Sequence, residues 1–286
     1  MLKGYTGKIA VINLKEKRVE ELFLKDEIAQ KFIGGRGLGA YILYQYRQND
    51  IDPFSMKNPL IIASGPLNGT KTPLASKIGF FFYSPQTGFF GESYVGGSMP
   101  KYPKWIGYDA IIIKNGFDTP GLIIMTEEGV EFRNAKELWG LGSVKTDEIL
   151  RKEFGKKATV VSIGPAGENQ VRFASINVDK WRQAGRTGGG AVMGVKKIKA
   201  MVFISEENWL DSAEQNKFQD LLSNVLEKFR TDEGVKRLRE YGTSAMATLA
   251  NNMGFFPSLY WNYGFLEKWE DISADKVKEI LIRPQP

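Results

Sequence analysis

The feature that most limits how this chain can fold is the shortness of its apolar runs. Leu60–Ala63, Ile78–Tyr83, Ala110–Lys114 and Leu122–Met125 are rich in apolar, aromatic or β-branched residues, and each is bounded by Gly, Pro or Asn. Runs this short cannot build a helix of ordinary length, so they predict buried or half-buried strands. Lys8–Leu14 and Arg18–Leu24 predict a further strand pair joined by a charged turn, and Glu127-Glu128-Gly129 reads as a hairpin turn.

Helical periodicity enters this region clearly at Ser143 to Phe154, with Gly155 as the residue that ends the helix and Thr159 to Ile163 as the strand it crosses over to. Near Ser205 to Leu210 the composition shifts, and the remainder reads as helix. Ser212 forms a capping box with Gln215, and Phe218, Leu221, Leu222, Val225, Leu226 and Phe229 follow at helical spacing, a face expected to serve core packing. The fold class is therefore α+β: a β-rich N-terminal domain over residues 1–208, followed by an α-helical segment over residues 209–286 that begins a second, incomplete domain.

An internal echo divides the first part into two related halves. The strand at Leu60 runs into Gly65-Pro66 and the strand at Thr159 runs into Gly164-Pro165; a glycine cluster follows in each case, Gly96-Gly97 in one and Gly188-Gly189-Gly190 in the other. Two related halves imply two related ligand-binding edges.

Composition restricts the chemistry those edges can do. The 286 residues contain no cysteine and no histidine, which removes a thiolate nucleophile, a Cys/His zinc site, a Ser-His-Asp relay and a cysteine-held iron–sulfur cluster from this chain's own side chains. Redox work would have to come from a bound cofactor. Lys and Arg exceed Asp and Glu by 39 to 33, a net charge of +6 that favours an anionic ligand; a thermophile's Lys/Glu-rich surface explains the same numbers, and nucleic acid is the less favoured partner. The start alternates charged and apolar residues, unlike a signal peptide, and no stretch approaches a membrane span, so the expected location is cytoplasmic.

The 31 glycines are about half as many again as the ~7% of average usage would give, and they are clustered. Gly34-Gly35-Arg36-Gly37-Leu38-Gly39 follows a helix-like stretch, Glu27 to Phe32, instead of a strand, which rules against a dinucleotide-binding turn; a close backbone approach to a ligand or to another element remains, packing being favoured. The second cluster is Gly88, Gly91, Gly96 and Gly97, and the third is Gly185, Gly188, Gly189, Gly190 and Gly194. Without side chains, their main-chain groups can reach a ligand directly, and successive N–H groups form an anion-binding concavity. Arg182 and Arg186 bracket the third cluster and can fork onto phosphate oxygens. Structural turns with solvated arginines would account for either cluster alone; both together, in echoing halves, favour a ligand.

At these residues a resemblance appears. GGRGLGAYILY, NPLIIASGPLNGT, SKIGFFFYSPQTGFFGESYVGG, KWIGYDAIIIKN, IGPAGENQVRFASINVD and RQAGRTGGGAVMGVKKIKA resemble, in order, successive blocks of the tungsten-containing aldehyde ferredoxin oxidoreductase family, the match as a whole running from about Tyr5 to Phe203, and PSLYWNYGFLEKWEDIS resembles the start of that family's second domain. The resemblance implies a β-rich domain whose two halves each bind one molybdopterin of a bis-pterin cofactor. Tungsten, or molybdenum, would be held by the pterin dithiolenes, and a magnesium ion would bridge the phosphates. Carried over by position, Lys77 is a basic residue at the site, Tyr94 and Gly96 stand on the first pterin loop, and Arg182, Gln183, Gly185 and Arg186 stand on the second. The carbonyls of Tyr94 and Gln183 would reach the magnesium, although Tyr94 replaces the family's asparagine and Gln183 its alanine.

The implied activity oxidises a small aldehyde to a carboxylic acid and passes electrons to ferredoxin through a [4Fe-4S] cluster. That cluster's cysteines follow a stretch like LIRPQP in the family and are absent from this chain. No catalytic residue is assigned within it. A second polypeptide supplying the C-terminal domains and a homodimer are the expected assembly partners. The alternative is a truncated, inactive binding or scaffold relative.

Overall fold

The computed structural model describes residues 2–47 and 51–280; the LIRPQP stretch lies outside them. The chain separates into two compact units, Met1–Gln215 and Asn216–Pro286.

In the first unit the twelve strands are β1 Lys8–Asn13, β2 Arg18–Phe23, β3 Leu60–Ala63, β4 Ile78–Tyr83, β5 Phe90–Val95, β6 Ala110–Lys114, β7 Gly121–Met125, β8 Val130–Asn134, β9 Thr159–Ser162, β10 Ile176–Val178, β11 Arg182–Ala184 and β12 Ile198–Phe203. They form two six-stranded sheets, ordered β2-β1-β6-β3-β4-β5 and β11-β10-β9-β12-β7-β8. Numbered within its own half, each sheet has the strand order 5-4-3-6-1-2. In each sheet one neighbouring pair is parallel, the first strand with the sixth, and the other pairs are antiparallel. The echo in the sequence is thus a repeated topology. Its register is also repeated: Ala63 pairs with Ala110 and Ser162 with Ala200, so Gly65-Pro66 and Gly164-Pro165 leave their strands at equivalent points.

Six helices accompany the sheets: α1 Asp26–Phe32, α2 Gly35–Gln45, α3 Tyr102–Trp105, α4 Ser143–Phe154, α5 Pro165–Glu168 and α6 Gly189–Val195. The strand side chains explain the layering, because neighbours along a strand face opposite ways. Ile12, Ile62, Phe80, Phe82, Ile111 and Ile113 meet Ile123, Met125, Val161, Val178, Met201 and Phe203 in one core shared by both sheets. The intervening Val11, Ile61, Phe81 and Ile112 pack with Leu38, Ile42 and Leu43 of α2. On the far side, Leu122, Ile124, Val160 and Val202 pack with Leu150 of α4. The order is helix, sheet, sheet, helix. The first glycine cluster serves this packing: a Cβ on Gly39 would lie 2.3 Å from the Phe81 ring, and one on Gly34 2.6 Å from the Ser64 carbonyl oxygen.

In each half a buried charge stands one residue before the sixth-strand residue that pairs with the end of the third strand: Asp109 before Ala110, and Lys199, inside β12, before Ala200. Asp109 accepts hydrogen bonds from the Thr6 and Gly7 amides at 3.2 and 2.7 Å and pairs with the buried Lys104. Lys199 pairs with Glu168 and donates to the carbonyls of Leu141 and Ile163 at 2.7 and 2.8 Å. A third buried ammonium, Lys196, has only the carbonyls of Met56 and Asn115, each at 2.8 Å, and burial pushes its pKa down to about 7.

Three expectations change. β5 and β11 form where glycine loops were expected, so Tyr94, Arg182 and Gln183 stand on edge strands. Polar residues and flanking glycines hid the strand pattern, and pairing with a neighbour restored it. In the second unit, α7 Gln215–Thr231 forms, followed by α8 Glu233–Tyr241, α9 Ala245–Asn252 and α10 Ala274–Ile280. The apolar face of α7, however, buries only Leu222, while Leu221 and Leu226 are exposed. Phe218, Val225 and Phe229 of the same face are half-buried, so its periodicity becomes core only in part. At Ser212 the hydroxyl and amide both turn to the Gln215 side-chain oxygen, at 2.8 and 3.3 Å, half of the anticipated capping box.

Candidate functional site

β5 and β11 are the edge strands of their sheets, occupying the same place in the two halves, and they approach each other. Hydrogen bonds stitch the segments together. The Thr187 hydroxyl donates to the Glu92 carbonyl at 3.1 Å, the Arg186 amide donates to Ser93 Oγ at 3.0 Å, and Ser84 Oγ donates to the Thr187 carbonyl at 2.8 Å. Further along, the Ser98 amide and hydroxyl both donate to Asp179 Oδ2, at 2.9 and 2.5 Å. The glycine-bearing edges thus face each other.

Between them lies a cleft of about 760 Å³ lined by Arg36, Glu92, Ser93, Tyr94, Gln183, Gly185, Arg186 and Thr187. Four residues named from the sequence, Tyr94, Gln183, Gly185 and Arg186, come together there. Lys77, Gly96 and Arg182 do not line it but stand along the same seam: a Cβ on Gly96 would lie 3.8 Å from Lys77 Nζ, and one on Gly97 3.3 Å from Arg182 Cγ.

Local backbone geometry shapes the third cluster. Thr187, a β-branched residue, has φ +63°, and Gly188 follows at φ +85° to open α6. A Cβ on Gly188 would lie 2.1 Å from the Arg172 carbonyl oxygen, so both the torsion and the space demand glycine. Strained backbone held by hydrogen bonds to a neighbouring edge marks a position that the surroundings over-determine. Gly185 differs, since nothing lies within 4 Å of where its Cβ would be, and that space opens into the cleft.

The electrostatics favour an anion. Arg182 and Arg186 are exposed, and among the described residues neither has a carboxylate within ion-pair distance. Glu92 is committed to Arg36, which donates to both its oxygens at 2.6 and 2.7 Å. Tyr94, bulky at a position expected to be tight, is pinned to the wall. Its ring packs edge-on against Phe81, its hydroxyl donates to Glu92 at 2.8 Å, and burial, then the Glu92 hydrogen bond, raise its pKa. Its main chain is left at the edge. Because the Glu92 carbonyl points away from β4 to Thr187, the two-residue period of a strand turns the Tyr94 carbonyl the same way.

Among the described residues no group of three or more His, Cys, Asp or Glu side chains could hold a metal ion. A cation here would depend on main-chain oxygens and on its ligand's own atoms. Sequence reasoning missed Arg36, Glu92, Ser93 and Thr187 as members of the cleft. Glu92 was recoverable from its spacing of two from Tyr94 had β5 been recognised; Arg36 arrives from an element distant in sequence and carried no such signal.

With this geometry in place, similarity to known proteins is specific. Residues 9–205 match the family described as aldehyde ferredoxin oxidoreductase, N-terminal domain, and residues 220–286 match aldehyde ferredoxin oxidoreductase, domains 2 and 3. The chain is 37% identical to a tungsten-containing aldehyde ferredoxin oxidoreductase of Pyrococcus horikoshii, with 99% of this chain and 47% of that protein aligned. It is 32% identical to the aliphatic sulfonate oxidoreductase, WOR-like subunit, of Pyrococcus furiosus, over 85% of this chain and 40% of that one. The active site complex BamBC of benzoyl coenzyme A reductase with 1,5-dienoyl-CoA superposes with a TM-score of 0.76 at 32% identity, covering 82% of this chain and 36% of that one. The chain spans about half the length of the full relatives it matches. No helix of the described residues is long and apolar enough to cross a membrane.

Proposed function

Because this chain belongs to the aldehyde ferredoxin oxidoreductase family, we propose that its β-rich N-terminal domain, residues 1–208, holds a bis-pterin tungsten cofactor for a ferredoxin-linked enzyme that oxidises small aldehydes to carboxylic acids. Residues 209–286 would begin a second domain. The observation that carries this reading is the seam itself: equivalent edges of two topologically identical sheets line one cleft that holds uncompensated guanidinium charge.

The residues present suit such a group. Gly185 leaves room for a ligand against the main chain, and Arg186 in the cleft, with Arg182 and Lys77 along the seam, supplies positive charge for phosphates. The carbonyls of Tyr94 and Gln183 would serve a bridging magnesium ion as main-chain ligands, a role indifferent to the identity of the side chains. When bound, the cofactor supplies the two-electron chemistry, with tungsten or molybdenum held by the pterin sulfurs; the protein supplies binding and orientation. With no cysteine among these 286 residues, thiolate ligands for a [4Fe-4S] cluster would come from elsewhere, such as a second polypeptide.

The test is metal and pterin analysis of the chain produced in a host able to supply both. The expected result is tungsten or molybdenum retained with about two pterins per metal, and retention at least ~10-fold lower for the double variant Arg182→Gln/Arg186→Gln. Absence of both metals and of pterin from the unaltered chain would overturn the reading.

A further inference from the structure

The glycine cluster that packs α2 against β3 and β4 also delivers a charged group to the cleft. Arg36, in the first turn of α2, directs its guanidinium at Glu92 of β5, with Nε 2.7 Å from Oε2 and Nη2 2.6 Å from Oε1. Nε also donates to the Tyr94 hydroxyl at 3.1 Å. Glu92 is the sole acid lining the cleft among the described residues, and it cancels one of its two arginines.

Three observations bear on what this pair does. The two-point fork that Glu92 offers Arg36 has the shape of the fork a phosphate offers, with the same donors and a similar oxygen spacing. The pair stands at the cleft wall instead of in the core, with side chains 69% and 26% exposed, so it is weakly held. The Glu92 main chain, by contrast, is fixed, its carbonyl tied to Thr187, so the carboxylate can swing aside without moving the strand.

We propose that Arg36 is a further anion ligand of this cleft and that Glu92 stands in for the anion, yielding the Arg36 fork when a phosphate group of the ligand arrives. The proposal rests on the reading of the seam as a phosphate-binding site and adds to it an exchange of partners. Before exchange, the cleft presents the charge of Arg186 alone. Afterwards two guanidinium groups converge on the ligand, and Glu92 keeps the Tyr94 hydroxyl as partner.

Calorimetric titration of the full chain with inorganic pyrophosphate at one fixed, low salt concentration tests this. Arg36→Gln should weaken binding about tenfold, through loss of a charge-assisted fork. Arg36→Lys should weaken it as well, because an ammonium keeps the charge but not the two-point geometry. Glu92→Gln should tighten binding about three- to fivefold by removing the competitor, and the double variant Glu92→Gln/Arg36→Gln should lose that gain. Far-ultraviolet circular dichroism identifies any variant that fails to fold, and the Arg36→Lys arm then decides. Binding in Glu92→Gln no tighter than in the unaltered chain, or unchanged binding in Arg36→Lys, would overturn the proposal. If Arg186→Gln weakens binding while the Arg36 and Glu92 variants do not, the phosphate seam stands and the exchange falls. If pyrophosphate binds none of these proteins, both fall.

Discussion

The two halves of the β-rich unit share strand order, register and the Gly-Pro exit from the third strand, yet they bury opposite charges at one equivalent point, Asp109 in the first and Lys199 in the second. In each half an opposite charge was recruited: Lys104 from α3 for Asp109, and Glu168 from α5 for Lys199. Topology therefore specifies that a polar group beneath the turn will be enclosed, while the sign is free provided that the surroundings answer it. Burial lowers the pKa of both lysines, and the partner carboxylates oppose that shift. A buried charge left without its partner is costly, so the halves should be equally vulnerable although their residues differ.

The largest effect should follow from removing one member of either pair. Asp109→Ala and Lys199→Met are each expected to cost about 3–5 kcal/mol in denaturant unfolding, because Lys104 or Glu168 is left buried and uncompensated. A loss below about 1 kcal/mol in one half but not the other would show that the halves do not share this device.

Lys196 sharpens the comparison, being a buried ammonium of the second half with carbonyl partners and no carboxylate. Its folded pKa of about 7 lies below the unfolded value of 10.5. Between these pH values the unfolded chain binds the additional proton, so stability should rise with pH across that window and flatten above it. The slope would reach at most about 1.4 kcal/mol per pH unit. Unfolding curves from pH 7 to 10 should show this rise in the unaltered chain, and Lys196→Met should remove it; an identical pH slope in both would refute the assignment.

A smaller contrast separates the glycine clusters. Gly39→Ala, with its Cβ driven into the Phe81 ring, should destabilise by about 1–3 kcal/mol. Gly185→Ala, facing open space, should change stability by no more than about 0.5 kcal/mol while still narrowing the cleft. Thermal unfolding of the two variants compares packing glycine with binding glycine directly. Equal losses would mean that Gly185 also packs.

The strands Leu60–Ala63, Ile78–Tyr83 and Ala110–Lys114 and the helix Ser143–Phe154 were legible because their side chains are buried on both faces or in a clear helical stripe. The strands β5 and β11 were not. β11 is only three residues, Arg182-Gln183-Ala184, and β5 mixes Gly91, Glu92 and Ser93 among its aromatics; both exist because a neighbouring strand offers hydrogen bonds. The same blindness applied to the cleft, whose glycines and Arg186 were readable as a class of residue while their convergence was not.

Residue types alone determined that no thiol or imidazole acts in this chain, that two halves repeat, and that glycine and arginine offer an anion both main-chain and guanidinium donors. Folding decided which of those donors meet. Register and sheet order bring β5 beside β11, set Arg36 against Glu92 across 56 residues of sequence, and place Lys77 and Arg182 along the seam instead of in the cleft. The reason is that periodicity records only which face of an element is buried, whereas contact between distant elements depends on packing that no local pattern encodes.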